Sequence, residues 1–314
     1  FKLREQDSTP NKVVFYSEDI ESYCHFEGLI SELSKKKKIS IIYITSDFED
    51  FILKKKNNAI IPLYFDKLLA PVIKNLKAKA IIMTMPEIDK FHIKKSIYCN
   101  EHIYIFHNIG SSFTAIKFGA LFSYDTLFCV GPHHKIETLK QEKLYDLKNK
   151  KLIDFGYYKL ERILKEYSNY KKDSIKHKNI NDNIKILIAP SWGNNSIFNL
   201  CGEQLIDTLL ASDYVLYIRP HPMTLKKDHE LIKNLKNKYK DNKNIIFEDD
   251  ISETKSFYFS DLMITDWSGV SYEFAFGTER PVLFIDVPQK IMNEQYREIG
   301  IDPIDISIRN KIGR

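Results

Sequence analysis

The chain has no CxxC pair, and its four cysteines, Cys24, Cys99, Cys129 and Cys201, are scattered through apolar or helical surroundings. That pattern favours reduced structural thiols in a cytosol over disulfides or a zinc site. No stretch approaches about 18 uninterrupted apolar residues and no signal peptide is evident, so no membrane span is expected. The phosphate-cradling loops GxGxxG and GxxxxGK(S/T) are missing, as is Asp-x-Asp. Their absence argues against a dinucleotide site, a P-loop and one common metal–nucleotide clamp. No internal repeat is evident, so the two halves of the chain need not be related.

What is present suits an enzyme-sized globular protein. The chain has 314 residues, 43% hydrophobic and 13% aromatic, which points to two domains and not to a disordered chain. The net charge of +5 is unevenly spread. Residues 1–183 carry a net +8 and residues 184–314 a net −3, and residues 51–100 alone carry +7. A basic first half, with lysines at Lys54 to Lys56 and Lys94–Lys95, is expected to face an anionic membrane or polymer. No feature marks the chain as nucleic-acid binding. It begins at Phe1, and no closing helix is evident before Arg314, so a piece of a longer protein is expected.

Strand-like apolar runs alternate with helical patterns. Lys12 to Ser17, Ile39 to Ile44, Ala80 to Thr84, His102 to His107, Thr126 to Val130 and Lys151 to Phe155 read as buried strands of a first half. The polar segment Tyr170 to Asn183 reads as a linker. The alternation then restarts with strands at Ile184 to Ala189, Tyr214 to Arg219, Asn244 to Glu248, Leu262 to Thr265 and Pro281 to Ile285, and with a helix from Leu225 to Tyr239. The expected fold is α/β, two Rossmann-like doubly wound domains over 1–175 and 184–314 facing each other across a cleft.

Four turns could carry chemistry. Asp266-Trp267-Ser268-Gly269 lies between a strand and a short helix, where free N–H groups and the helix dipole hold phosphate well. Ser268 is expected to cap that helix and Gly277 to end it. Arg219-Pro220-His221-Pro222 follows a strand, and the prolines hold Arg219 and His221 in one orientation suited to a pyrophosphate. His107 closes another strand and is placed to act as general base on an acceptor hydroxyl. Ser191 and Trp192, in Ala189-Pro190-Ser191-Trp192-Gly193, could face a nucleotide, and the turn Gly156-Tyr157-Tyr158-Lys159, after the last strand of the first half, could line the cleft.

Together these motifs resemble the CDP-glycerol glycerophosphotransferase family, the teichoic-acid primases and polymerases of GT-B-type fold. Ile264-Thr265-Asp266-Trp267-Ser268-Gly269 is similar to that family's ITDYSS stretch, and His221-Pro222 to its HP dipeptide. Ala189-Pro190-Ser191-Trp192 is similar to its APTW turn, Gly156 to Glu161 loosely to a GYPRxD turn, and His107-Asn108-Ile109-Gly110 partly to an HGTP turn. Two departures stand out: Gly269 replaces the second serine, and the turn after His107 lacks the usual glycine and threonine.

The resemblance implies transfer of a polyol phosphate from a CDP-activated donor to a hydroxyl of a cell-surface glycan or lipid-linked precursor, with release of CMP. It gives His107 the role of base, and His221 and Arg219 that of pyrophosphate and leaving-group stabilisers. Ser268 with the Gly269 backbone becomes the phosphate cradle, and Asp266, Ser191 and Trp192 nucleotide contacts. No obligatory cofactor is expected, and a divalent metal is left open. The expected location is the cytoplasm, peripheral on the inner face of the plasma membrane. The alternatives are a GT-B glycosyltransferase using a CMP-sugar, and a non-catalytic nucleotide-binding subunit.

Overall fold

The structure, a computed structural model, describes residues 11–36, 38–54, 59–174, 183–248 and 254–313. The chain forms two compact units, one of residues 1–159 with 292–301, the other of residues 160–291 with 302–314.

The first unit carries a parallel sheet of β1 (Lys12–Ser17), β2 (Ser40–Thr45), β3 (Ile60–Tyr64), β4 (Ala80–Met83), β5 (His102–Ile105), β6 (Thr126–Cys129) and β7 (Lys151–Asp154). Its order is β3-β2-β1-β4-β5-β6-β7. The apolar runs arise because both faces are covered. Val14, Tyr16, Ile42 and Ile44 enter one core, while Val13, Phe15, Ile41 and Tyr43 enter the other, as the period of two dictates. The longer helices here are α1 (Tyr23–Ser34) and α2 (Pro132–Leu144).

The second unit holds β8 (Lys185–Ile188), β9 (Val215–Ile218), β10 (Ile245–Phe247), β11 (Leu262–Thr265) and β12 (Val282–Phe284), all parallel, in the order β10-β9-β8-β11-β12. Its longer helices are α3 (Tyr158–Ser174), α4 (Gly202–Leu210), α5 (His229–Tyr239) and α6 (Val270–Thr278).

Several expectations are corrected. The strand β3 was not anticipated, because Pro62 interrupts its pattern; Pro62 is tolerated because β3 is an edge strand. The division between units falls at Lys159, ahead of the segment read as a linker. Ile163 and Tyr167 of α3 are buried with Leu187, Phe257, Met263 and Phe274, so that helix is tied to the second sheet before residue 170 is reached. Residues 175–182 of the segment lie outside the described residues. The helix expected from Leu225 to Tyr239 is two, Pro222–Lys227 and α5, parted at Asp228. Gly277 lies inside α6, which ends instead at Glu279 in the left-handed region, φ 57°. A side chain at Gly277 would overlap Ile163, so the glycine serves close helix packing.

Candidate functional site

In open parallel sheets ligands settle at the carboxyl ends of strands, where the strand order reverses. The first sheet reverses between β1 and β4, the second between β8 and β11. Both reversals are lined by the turns singled out above.

In the first unit a cavity of about 240 Å³ opens at that edge. Glu18 beyond β1, Pro86 beyond β4, and Tyr104, His107 and Ser112 of β5 and its turn line it. His107 is exposed, yet the surrounding walls desolvate the ring and hold its pKa below the ordinary value; Lys159 adds to this, while a hydrogen bond with the Thr84 carbonyl opposes it. An imidazole so shifted is neutral at physiological pH and able to accept a proton. Its Nδ1 lies 3.2 Å from the Tyr104 hydroxyl, and its carbonyl accepts from the Tyr157 hydroxyl at 3.1 Å. The Gly156–Lys159 turn is thus brought against His107 through Tyr157. His25 of α1 meets the His107 ring at 6.1 Å.

The turn after His107 is held from α2. Ser112 gives both its N–H (3.0 Å) and its hydroxyl (2.6 Å) to Glu137 Oε2. His134, fully buried, accepts the Val130 N–H at Nδ1, which leaves its proton on Nε2 to meet the Gly110 carbonyl at 2.9 Å. Burial, with His133 beside it, lowers His134 to about 3. Sequence reasoning missed both residues; the only signal was their presence on a helix that follows the adjacent strand.

In the second unit Asp266 is the knot. It is fully buried, and its Oδ1 accepts the N–H of Ser191 (2.7 Å) and of Trp267 (2.6 Å), while Oδ2 accepts that of Ile197 (3.1 Å). The carboxylate therefore ties the turn after β8 to the turn after β11. Its oxygens accept three backbone N–H groups, so the carboxylate positions the Ser191 turn. Ser268 is nearly buried and its side chain does not cap α6; its carbonyl accepts the Ser271 N–H (3.2 Å) and hydroxyl (2.9 Å). Gly269 occupies the N-cap position, so the turn still presents the amino end of α6 at the switch point.

Arg219 is anchored by a neighbour. Its guanidinium donates to Glu248 Oε2 at 2.7 Å and lies 5.3 Å from the Phe257 ring. The two charged side chains are only 9% and 12% exposed, so Arg219 is held in a buried ion pair. His221 is fixed by its own turn. Its Nδ1 accepts the Met223 N–H at 3.0 Å, capping the Pro222–Lys227 helix. That bond puts the neutral ring's proton on Nε2, where it can serve as a donor. Trp192 lies 6.2 Å from the His221 ring. Sequence reading also missed Lys227 and Lys290, which carry their charges over Trp192, and Arg309, which stacks on Trp267 at 4.0 Å. Among the described residues, no group of three or more His, Cys, Asp or Glu is placed to hold a metal ion.

Comparison with known proteins agrees with this picture. The model of a family described as CDP-glycerol:poly(glycerophosphate) glycerophosphotransferase matches residues 3–302. A teichoic acid poly(glycerol phosphate) polymerase from Bacillus spizizenii is 29% identical over 145 residues, 43% of this chain and 35% of that protein. The chain thus spans about a third of the length of this curated relative. A structure of the wall teichoic acid polymerase TagF is similar with a TM-score of 0.56 at 15% identity, over 88% of this chain and 70% of that one. A UDP-GlcNAc 2-epimerase from Methanocaldococcus jannaschii, solved with UDP-GlcNAc and UDP, reaches 0.62 at 15% identity, over 88% and 84%. These structural likenesses concern the fold.

Proposed function

The chain belongs to the CDP-glycerol:poly(glycerophosphate) glycerophosphotransferase family, and from that premise we propose that it moves a polyol phosphate, glycerol phosphate or a close analogue, from a CDP-activated donor to a hydroxyl of a cell-surface glycan or its lipid-linked precursor. The acceptor oxygen attacks the phosphorus that bears the polyol. The bond from that phosphorus to the bridging oxygen breaks, and CMP leaves with the electron pair. The acceptor's proton passes to His107. In such a transfer the protein mainly positions groups and neutralises charge.

The observation that supports this reading is the Asp266 knot, which ties the Ser191 turn after β8 to the turn after β11 that leads into α6. His221, with its proton on Nε2, donates to the departing phosphate; Trp192 and Ser191 contribute to the nucleotide site. His107, lowered in pKa beside a cavity of its own, takes the acceptor. We assign no cofactor a role in these steps. The proposed location is cytoplasmic, peripheral on an anionic inner membrane face. Phe91, Ile97 and Tyr98 are exposed beside Lys90 and Lys94, a mixture suited to a headgroup layer. Lys95 does not belong to it, being paired with Asp125 at 2.6 Å, and Lys55 and Lys56 lie outside the described residues.

The test is a binding and turnover series. The wild type should bind CDP and CMP in preference to UDP and GDP. His107→Ala should keep CDP affinity within a few-fold while turnover falls by about 10² to 10⁴, the range for a lost general base. His221→Ala should lose turnover together with CDP affinity. Normal turnover by His107→Ala would remove the base from this mechanism, and turnover of a CMP-sugar in place of a CDP-polyol would replace the reaction.

A further inference from the structure

Lys290 lies in the loop beyond β12, in no motif, yet it reaches the nucleotide turn. Its Nζ sits 2.8 Å from the centroid of the Trp192 ring. Lys227, in the last turn of the helix that His221 caps, places its own Nζ 4.8 Å from the same centroid. Two cations therefore share one indole, in the turn that Asp266 fastens to the switch point. Lys290 Nζ is buried without a hydrogen-bond acceptor among the described residues. An ammonium carries three donors, and the face of an indole compensates their desolvation only in part. Burial, then the charge of Lys227, lowers Lys290 to about 8, and Asp266 opposes the shift. A like-charged pair in which the buried ammonium has idle donors is unfavourable as it stands, and becomes favourable once an anion with several oxygens enters beside it.

We propose that Lys290, seconded by Lys227, is a donor-binding residue that leaves the face of Trp192 to hydrogen-bond the diphosphate of the CDP-activated substrate. The proposal rests on the donor reading above and adds the cation that reading lacks, since Arg219 is spent on Glu248. The ammonium stacked on Trp192 is then a stand-by position, and donor binding exchanges a cation–π contact for charge-assisted hydrogen bonds, which are the stronger of the two.

Calorimetric titration of CDP, CMP and cytidine into the wild type, Lys290→Met, Lys290→Arg and Lys227→Met tests this. Lys290→Met should weaken CDP binding about 10- to 100-fold, the usual effect of losing hydrogen bonds to a charged group. It should weaken CMP less and leave cytidine within twofold. Lys290→Arg should stay within a few-fold of wild type, and Lys227→Met should show the same phosphate dependence with a smaller loss. Tryptophan emission supplies a second readout, because Trp192 and Trp267 are the two tryptophans of the chain. CDP should change the emission of the wild type, and change that of Lys290→Met much less. If the wild type binds CDP and Lys290→Met binds it within twofold, or if cytidine weakens as much as CDP, Lys290 does not hold the diphosphate. If the wild type binds none of the cytidine ligands, the donor reading itself falls and this assignment with it.

Discussion

Removing the Asp266 carboxylate should loosen the second unit before it affects any ligand. Asp266→Ala strips the acceptor from the N–H groups of Ser191, Trp267 and Ile197, two of which come from 75 and 69 positions away in the chain. Each buried donor left without a partner costs about 1–3 kcal/mol. Water entering the vacated space will satisfy some of them, so the lower half of the summed range applies, about 3–6 kcal/mol. Against a total stability of about 5–15 kcal/mol that is a large fraction. For a unit of this size each kcal/mol lowers the melting temperature by roughly 2–4 °C, so a fall of about 10 °C is expected. Differential scanning calorimetry should show it in the transition of the second unit, with the first unit's transition in place. Asp266→Asn keeps one acceptor oxygen but turns an amide donor toward a backbone donor, and should fall between alanine and wild type. The reasoning fails if Asp266→Ala melts within about 2 °C of wild type while CDP binding disappears. That result would make Asp266 a direct nucleotide contact and return it to the role its motif first suggested.

Two further outcomes follow from packing and surface. Gly277→Ala should destabilise the second unit by about 1–3 kcal/mol because the new methyl overlaps Ile163, and the same change should cost less in an Ile163→Ala background than in the wild type, which urea unfolding of the single and double variants will measure. Vesicles containing anionic lipid should co-sediment the wild type more than neutral vesicles do, less so as salt rises, and less again for Phe91→Ser with Ile97→Ser; equal binding to neutral vesicles would count against the membrane face.

The architecture was largely legible because a parallel sheet covered on both faces writes itself locally. KVVFYS, SIIYIT and AIIM are apolar at nearly every position, and each is a strand. Ile60–Tyr64 escaped notice for an equally local reason, since Pro62 is forbidden in a central strand and allowed only at an edge. Which strands lie at the edge is a property of the assembled sheet. The turns after β8 and β11 were each recognisable alone, but their adjacency depends on β8 pairing with β11 and not with a sequence neighbour.

Side-chain allocation is less local still, and the site shows where that matters. The prolines around Arg219 and His221 set backbone direction, and His221 behaves accordingly because its partner is the N–H two residues on. Arg219 has a long side chain, and its charge is claimed by Glu248, 29 positions away on the neighbouring strand's end. Asp266 sits in a motif that looks exposed and polar, yet is buried because the Ser191 turn folds over it. Lys290 presents the converse case: nothing around it in VPQK marks a site, and only the return of the chain past β12 sets it on Trp192. A charge can be read from a motif when its partner is near in sequence. When the partner is brought by the sheet, as with Arg219 and Lys290, the motif names a place and the fold decides which cation stands free to serve it.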